Sequence, residues 1–302
     1  MPSPTAAPIQ PLYRGATGVS TCFGTFGELV QGVLPGRDGD FLVTLPIARW
    51  SMATFQVDPR APEVRVRPAH KTKAVRLCRL LLDSVGASTG GVLTVDSSLP
   101  EGKGLASSSA DLVASARAVA NALHLDLSPD RMERLLRRIE PTDGVLYPGI
   151  VAFDHRRVRL RGRLGSLPTM TIVGVDEGGT VDTVAFNRIE KPFSAGDRRE
   201  YARLLDRVAD AVARRDLVEV GAAATRSTLM NQALSPKRSL EAVLRVCADV
   251  AALGVVAAHS GTMLGVLLDA GEPGYPERVA ATVRACSAIS PDVSLYRSLA
   301  FD

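Results

Sequence analysis

An α+β fold in two domains is what this sequence predicts, and three observations carry that prediction. Strand patterns and helix patterns mix without the strict strand–helix–strand rhythm of a parallel doubly wound sheet. The 302 residues suit two cores of ordinary size better than one large one. The pattern also restarts near residue 165, beyond an arginine-rich stretch. We therefore expect a loose arm over residues 1–17, a first domain over 18–164 and a second over 165–302.

The elements follow in order. Residues 41–57, FLVTLPIARWSMATFQV, and 63–67, EVRVR, are rich in β-branched and alternating residues and read as strands. Val75, Leu77, Leu81 and Leu82 recur at near-helical spacing over 71–85, and Gly86 supplies a stop. GGVLTVDSSL is a further strand, which feeds a glycine turn and an alanine-rich helix from Ser107 to Leu123. Ser128 and Pro129 suit the N-cap and first position of a helix running out at Ile139. In the second half TMTIVGVDEGG is a strand and turn, and 195–219 form one long charged helix. Pro236 opens a helix that ends near Gly254. GVVAAHSGTMLGVLLDA reads as two short strands around a Ser-Gly turn, before a helix over 275–287 and a last strand in DVSLY.

Composition excludes several functions. Aromatic residues are only 5%, so the cores must rest on Ala, Val and Leu, and few rings are free to stack on bases. The net charge of +4 suits an anionic ligand without implying nucleic acid. The five arginines of HRRVRLRGR (155–163) alternate with Val158 and Leu160, as on a solvated strand face. Four well-separated cysteines and no clustered histidines argue against a zinc site or a disulfide framework. The opening residues lack the charge-then-apolar order of a secretory signal, and no apolar run reaches membrane-span length. A cytoplasmic protein with neither nucleic acid nor membrane as partner is expected, with a homodimer as an open option.

The decisive stretch is LPEGKGLASSSADLVASARAVANAL, residues 99–123. A glycine turn running into a helix start can aim several backbone N–H groups at one anion. Gly102 and Gly104 supply the tight backbone, Lys103 a cation, and Ser107, Ser108 and Ser109 hydroxyls at the helix mouth. The competing reading is a simple N-cap, but three consecutive serines exceed what one cap needs. No Walker A loop and no dinucleotide fingerprint is present. Elsewhere, Glu28 and Gln31 lie three apart in GELVQG and would share a face on a helical turn. There a carboxylate could take the amino group of an amino acid, and an amide its hydroxyl or carboxylate. Asp143 stands in EPTDG, where it is either a turn residue or an acid–base group.

These stretches carry a resemblance. PEGKGLASSSA resembles the second motif of the GHMP kinases, the superfamily of galactokinase, homoserine kinase and mevalonate kinase. GTFGELVQG (24–32) is similar to the first motif. AHSGTMLGVLL (258–268) is similar to the third, although only Gly261 and Gly265 remain of its glycines. GELVQG, GKGLASS, EPTDG and HSGTMLG, with VDTVAFN and LMNQALSPK, resemble the L-threonine kinases associated with cobalamin biosynthesis.

The resemblance implies a fold, a chemistry and a site. The fold is a ribosomal-protein-S5-like N-terminal domain followed by a ferredoxin-like domain. The reaction is transfer of the ATP γ-phosphate to the hydroxyl of free L-threonine, with ATP and Mg²⁺ as cofactors. The nucleotide cradle would comprise Pro100, Glu101, Gly102, Lys103, Gly104, Leu105, Ala106, Ser107, Ser108 and Ser109. Ser108 would meet the metal together with Glu140, or with Glu133 on the preceding helix. Asp143, helped by Lys103, would be catalytic, since no Lys or Arg stands just upstream of GELVQG where mevalonate kinase and galactokinase carry a basic residue. Glu28, Gln31, Thr142, His259, Ser260 and Gly261 would line the acceptor. Asp182, Asn187 and Asn231 match the family without a derivable role. A kinase of another small hydroxylated amino acid or of a specialised-metabolite precursor, and a non-catalytic ligand-binding protein of the same fold, are the alternatives.

Overall fold

The computed structural model describes residues 15–36, 39–87, 89–186 and 188–301. The expected arm lies outside the described residues apart from its last three, which lead into the first strand. Two long antiparallel strands, β1 (Thr17–Val33) and β2 (Asp40–Asp58), form the spine. The start of β1 alternates exposed and buried residues, as a strand with one wet face must, whereas Cys22–Gln31 is buried throughout. After them come β3 (Val64–Arg67), α1 (Thr72–Asp83), β4 (Gly90–Ser97), α2 (Ser107–Ala122) and α3 (Pro129–Arg137). A hairpin of β5 (Ile150–Asp154) and β6 (Arg159–Gly165) closes this half.

The chain continues through β7 (Met170–Asp176), α4 (Thr183–Phe186), α5 (Ala195–Arg214), α6 (Leu217–Asn231) and α7 (Leu240–Asp249). It ends with β8 (Gly254–Ala257), β9 (Met263–Asp269), α8 (Tyr275–Ser287) and β10 (Val293–Arg297). All the strands join one mixed sheet in the order β10-β7-β9-β8-β1-β2-β4-β3, with β5 and β6 branching from β2. Pairing is antiparallel except between β3 and β4. Helices pack on a largely antiparallel sheet, so the α+β expectation stands.

Packing follows composition. Helix α2 is buried on nearly all sides, and its alanines let it lie close against β1 and β2. A second, smaller core joins Val173, Val255, Leu264 and Val266 of β7–β9 to Val243 of α7 and Cys286 of α8. Ser128 caps α3 as predicted, its hydroxyl accepting the Arg131 N–H.

Three expectations are corrected. The long helix over 195–219 is two helices: Arg215 turns left-handed (φ +58°), and Asp216 then caps α6. The helix expected from Pro236 begins only at Leu240 and stops at Asp249. Glu28 and Gln31 lie on strand β1, not on a helical turn. Register shifts between Thr25 and Glu28 and between Glu28 and Val30 break the two-residue alternation there. Such bulges re-aim side chains, which lets residues three apart on a strand serve one neighbourhood.

Candidate active site

Three segments far apart in sequence make one wall. The N–H of Thr25 donates to Leu105 O (3.3 Å) and that of Gly27 to Gly104 O (3.2 Å), tying β1 to the glycine turn. The third segment presses on the same turn. A Cβ on Gly104 would stand 2.4 Å from the Ala258 Cβ, and one on Gly261 only 2.2 Å from the Lys103 carbonyl oxygen. Both contacts require glycine.

Within the turn, Gly102, Gly104 and Ala106 adopt φ of +72°, +83° and +57°. Left-handed residues alternating with others form a concavity that gathers N–H groups. Ala106, at the N-cap of α2, has no side chain to cap the helix, so its first-turn N–H groups are left for a ligand. The three serines are therefore not caps. Ser108 donates to Glu140 Oε1, Ser109 donates to Asp143 Oδ2 (3.1 Å), and the Asp143 N–H returns to Ser109 Oγ (3.0 Å).

A cavity of about 310 Å³ opens in front of this wall. From Glu101 and Ser107–Ser109 it passes Glu140 and Asp143 to Glu28, His259 and Ser260. Burial pushes Asp143 up to about 6; the Ser109 hydroxyl opposes the shift and the Glu140 charge adds to it. Burial, and then the Asp143 charge, hold Glu28 well above the usual carboxylate range. Burial, with His155, Lys191 and Lys237 nearby, keeps His259 neutral.

The cavity also contains residues that the sequence reading missed. His70, Lys71 and Lys73 line it from the start of α1. Lys71 pairs with Asp111 Oδ2 (2.6 Å) and with Glu101, and Ser51 donates to Asp111 Oδ1 (2.6 Å). Lys73 pairs with Glu140 Oε2 (2.5 Å). Basic residues opening a helix oppose its dipole, so they need carboxylate partners or an anion. The run HKTK before an amphipathic helix was the available signal.

Several expected residues sit elsewhere. The Lys103 ammonium is held by Asp176 (2.6 Å) and Gly179 O (2.7 Å) and does not line the cavity. Lys71 and Lys73 are the lysines that line it. Pro100, Thr142, Gln31 and Gly261 are also outside the lining. Thr142 is buried in the turn, donating to Glu140 O (3.0 Å), and Gly261 O accepts from Lys237. Glu133 accepts from the Tyr147 hydroxyl (2.9 Å) and the Leu160 N–H (2.7 Å), so of the two candidate glutamates only Glu140 faces Ser108. Asp182 lines the cavity, Asn231 is buried on α6, and Asn187 lies outside the described residues.

Comparison with known proteins gives this geometry its family. Residues 72–147, which contain Lys73, the cradle and Asp143, match the GHMP kinases N terminal domain. The chain carries a GHMP kinase N-terminal domain. The L-threonine kinase of Citrobacter freundii is 29% identical to it over 254 residues, covering 83% of this chain and 86% of that protein. The L-threonine kinase of Salmonella typhimurium is also 29% identical, over 83% of each chain. A homoserine kinase structure from Cytophaga hutchinsonii superposes with a TM-score of 0.73 at 15% identity, covering 98% of both chains, which establishes the fold. Domain and relatives support an ATP-dependent kinase that phosphorylates an alcohol. No described helix of this GHMP-type kinase is long and apolar enough to cross a membrane.

Proposed function

We propose that this kinase transfers the γ-phosphoryl group of ATP to the side-chain hydroxyl of free L-threonine. One observation carries the reading: a single cavity joins an uncapped helix start to the Asp143 carboxylate and on to Glu28 and His259, each with one polar atom that has no partner among the described residues. The phosphates would lie on the N–H groups of the turn and of α2, with Lys71 and Lys73 neutralising charge. Asp143 would accept the hydroxyl proton as the threonine oxygen attacks the γ-phosphorus and ADP departs. Glu28 would pair with the substrate ammonium.

Ser108 and Glu140 fit a magnesium ion, because a hydroxyl and a carboxylate that already meet offer two hard oxygens. Among the described residues no group of three His, Cys, Asp or Glu could hold a metal. Magnesium keeps several waters and phosphate oxygens around one or two protein ligands. When bound, the ion would neutralise charge on the β- and γ-phosphates. Ser108→Ala should keep the fold, since alanine is at home in a helix. Even outer-shell partners of a metal are worth ~10–100-fold, so the magnesium needed for half-maximal rate should rise at least about tenfold. A magnesium titration that superposes on the wild-type curve would remove Ser108 from this role.

The substrate test is mass spectrometry of the product. O-Phosphothreonine is expected, with L-serine slower by roughly 10–200-fold for its missing methyl contact. Exclusive phosphorylation of a sugar or of mevalonate would sink the assignment. A cytoplasmic role in supplying phosphothreonine for cobalamin assembly, and a boundary between two domains near residue 165, belong to the same proposal.

A further inference from the structure

At the acceptor end of the cavity, Glu28 Oε2 and His259 Nε2 have no hydrogen-bond partner among the described residues. Their residues are 4% and 7% exposed, so water does not satisfy these atoms freely. An unpaired buried polar atom is costly, and in a native fold it calls for an explanation. The two residues are neighbours. Glu28 pairs with Ala257 between β1 and β8, and the His259 backbone N–H donates to the Glu28 carboxylate.

The chemistry of the free histidine nitrogen is fixed by Gln31. The Gln31 amide N–H donates to Ala257 O (3.2 Å), which turns its carbonyl oxygen towards His259 Nδ1 at 2.7 Å. A carbonyl oxygen only accepts, so Nδ1 must carry the proton. In the neutral ring Nε2 is then a lone-pair acceptor. His155 and Phe186 hold the ring edge-to-face, with centroids at 4.7 and 5.3 Å.

We propose that Glu28 Oε2 and His259 Nε2 together form an ammonium subsite, and that Gln31 is the positioning residue that makes His259 an acceptor. The proposal rests on reading this end of the cavity as the acceptor site. It narrows the substrate class to alcohols that carry a primary amine. An ammonium offers three donors and no acceptor, and so can satisfy both atoms while matching the carboxylate charge. A carboxylate or a carbonyl placed there would find no donor in His259 Nε2.

The test measures binding, by NMR titration in the presence of a non-hydrolysable ATP analogue. The probes are L-threonine, 1-amino-2-propanol (threonine without its carboxylate) and 3-hydroxybutyrate (threonine without its amine). The wild type should bind both amines at least roughly tenfold more tightly than 3-hydroxybutyrate. His259→Phe keeps a ring but loses the acceptor, and should erase much of that preference while leaving nucleotide affinity unchanged. Equal wild-type affinities, or a uniform loss for all three probes in the variant, would overturn the subsite. Nitrogen-15 NMR of the imidazoles adds a second readout. The His259 signal, assigned by through-bond correlation to its own backbone in the wild type, should show an Nδ1–H tautomer and lose that bias in Gln31→Met. A wild-type Nε2–H tautomer overturns the proposal even if neither variant folds. Absence of phosphothreonine in the product assay would remove threonine as substrate but leave the amine preference standing, so the two failures are distinguishable.

Discussion

Asp143→Asn is expected to lower kcat by about 10²–10⁴-fold, the usual worth of a general base, with ATP binding nearly unchanged. Asparagine keeps the shape and can still bond to Ser109, but cannot take a proton as a carboxylate does. The pH dependence gives the control. A base held up to about 6 by burial is available only above that pH, so wild-type kcat/KM should fall on the acid side with a midpoint near 6. The residual activity of the variant should lack that limb. Stability should move the other way. A carboxyl whose folded pKa is raised contributes stability below its unfolded value of 3.8, and loses it as pH rises through about 6. At neutral pH the ionised group therefore weakens the fold, by about 2–3 kcal/mol at most. Asp143→Asn should thus melt higher than wild type at pH 7.5, with no such gain at pH 3.5. A variant that retains most activity and melts alike at both pH values would make Asp143 a turn residue.

Gly261→Ala should cost about 10²-fold in kcat/KM, the scale of loss for an ångström-sized misplacement of catalytic parts. The added Cβ would stand 2.2 Å from the Lys103 carbonyl oxygen and 2.5 Å from the Gly104 nitrogen. Both are backbone atoms, so relief requires moving the turn away from the 258–261 segment. That displaces the N–H groups proposed to hold the phosphates, although Gly261 itself does not line the cavity. Overpacking of this kind also costs ~1–3 kcal/mol of stability, so thermal melts must accompany the kinetics. The expected pattern is a weakened nucleotide affinity in a protein that still unfolds cooperatively. Nucleotide affinity equal to wild type would show that the third segment does not support the cradle.

Much of this was legible in the residues. Strand and helix periods placed α1, β4, α3 and α8 to within a few residues, because each buries one face or has a chemical start signal such as Ser128-Pro129, and the alanine-rich composition placed α2. The cradle was legible because Gly102 and Gly104 answer a local backbone demand that needs no tertiary information. β1 was harder to read. Its central run is buried on both faces, so no alternation distinguishes it from other apolar segments, and its bulges spoil the two-residue count.

The residues alone pointed to an α+β chain with GHMP-like motifs, to a glycine-serine turn opening a helix, and to Glu28, Glu140 and Asp143 as candidate carboxylates. Only the tertiary structure decided how those parts are used. It turned Lys103 towards Asp176 and brought Lys71 and Lys73 to the cavity; it also made Gln31 the partner of His259. The physical reason is range. Helix periods, caps and turns depend on neighbours a few residues away, whereas a side chain's direction depends on strand register and bulges, and on partners up to 228 residues distant in the chain.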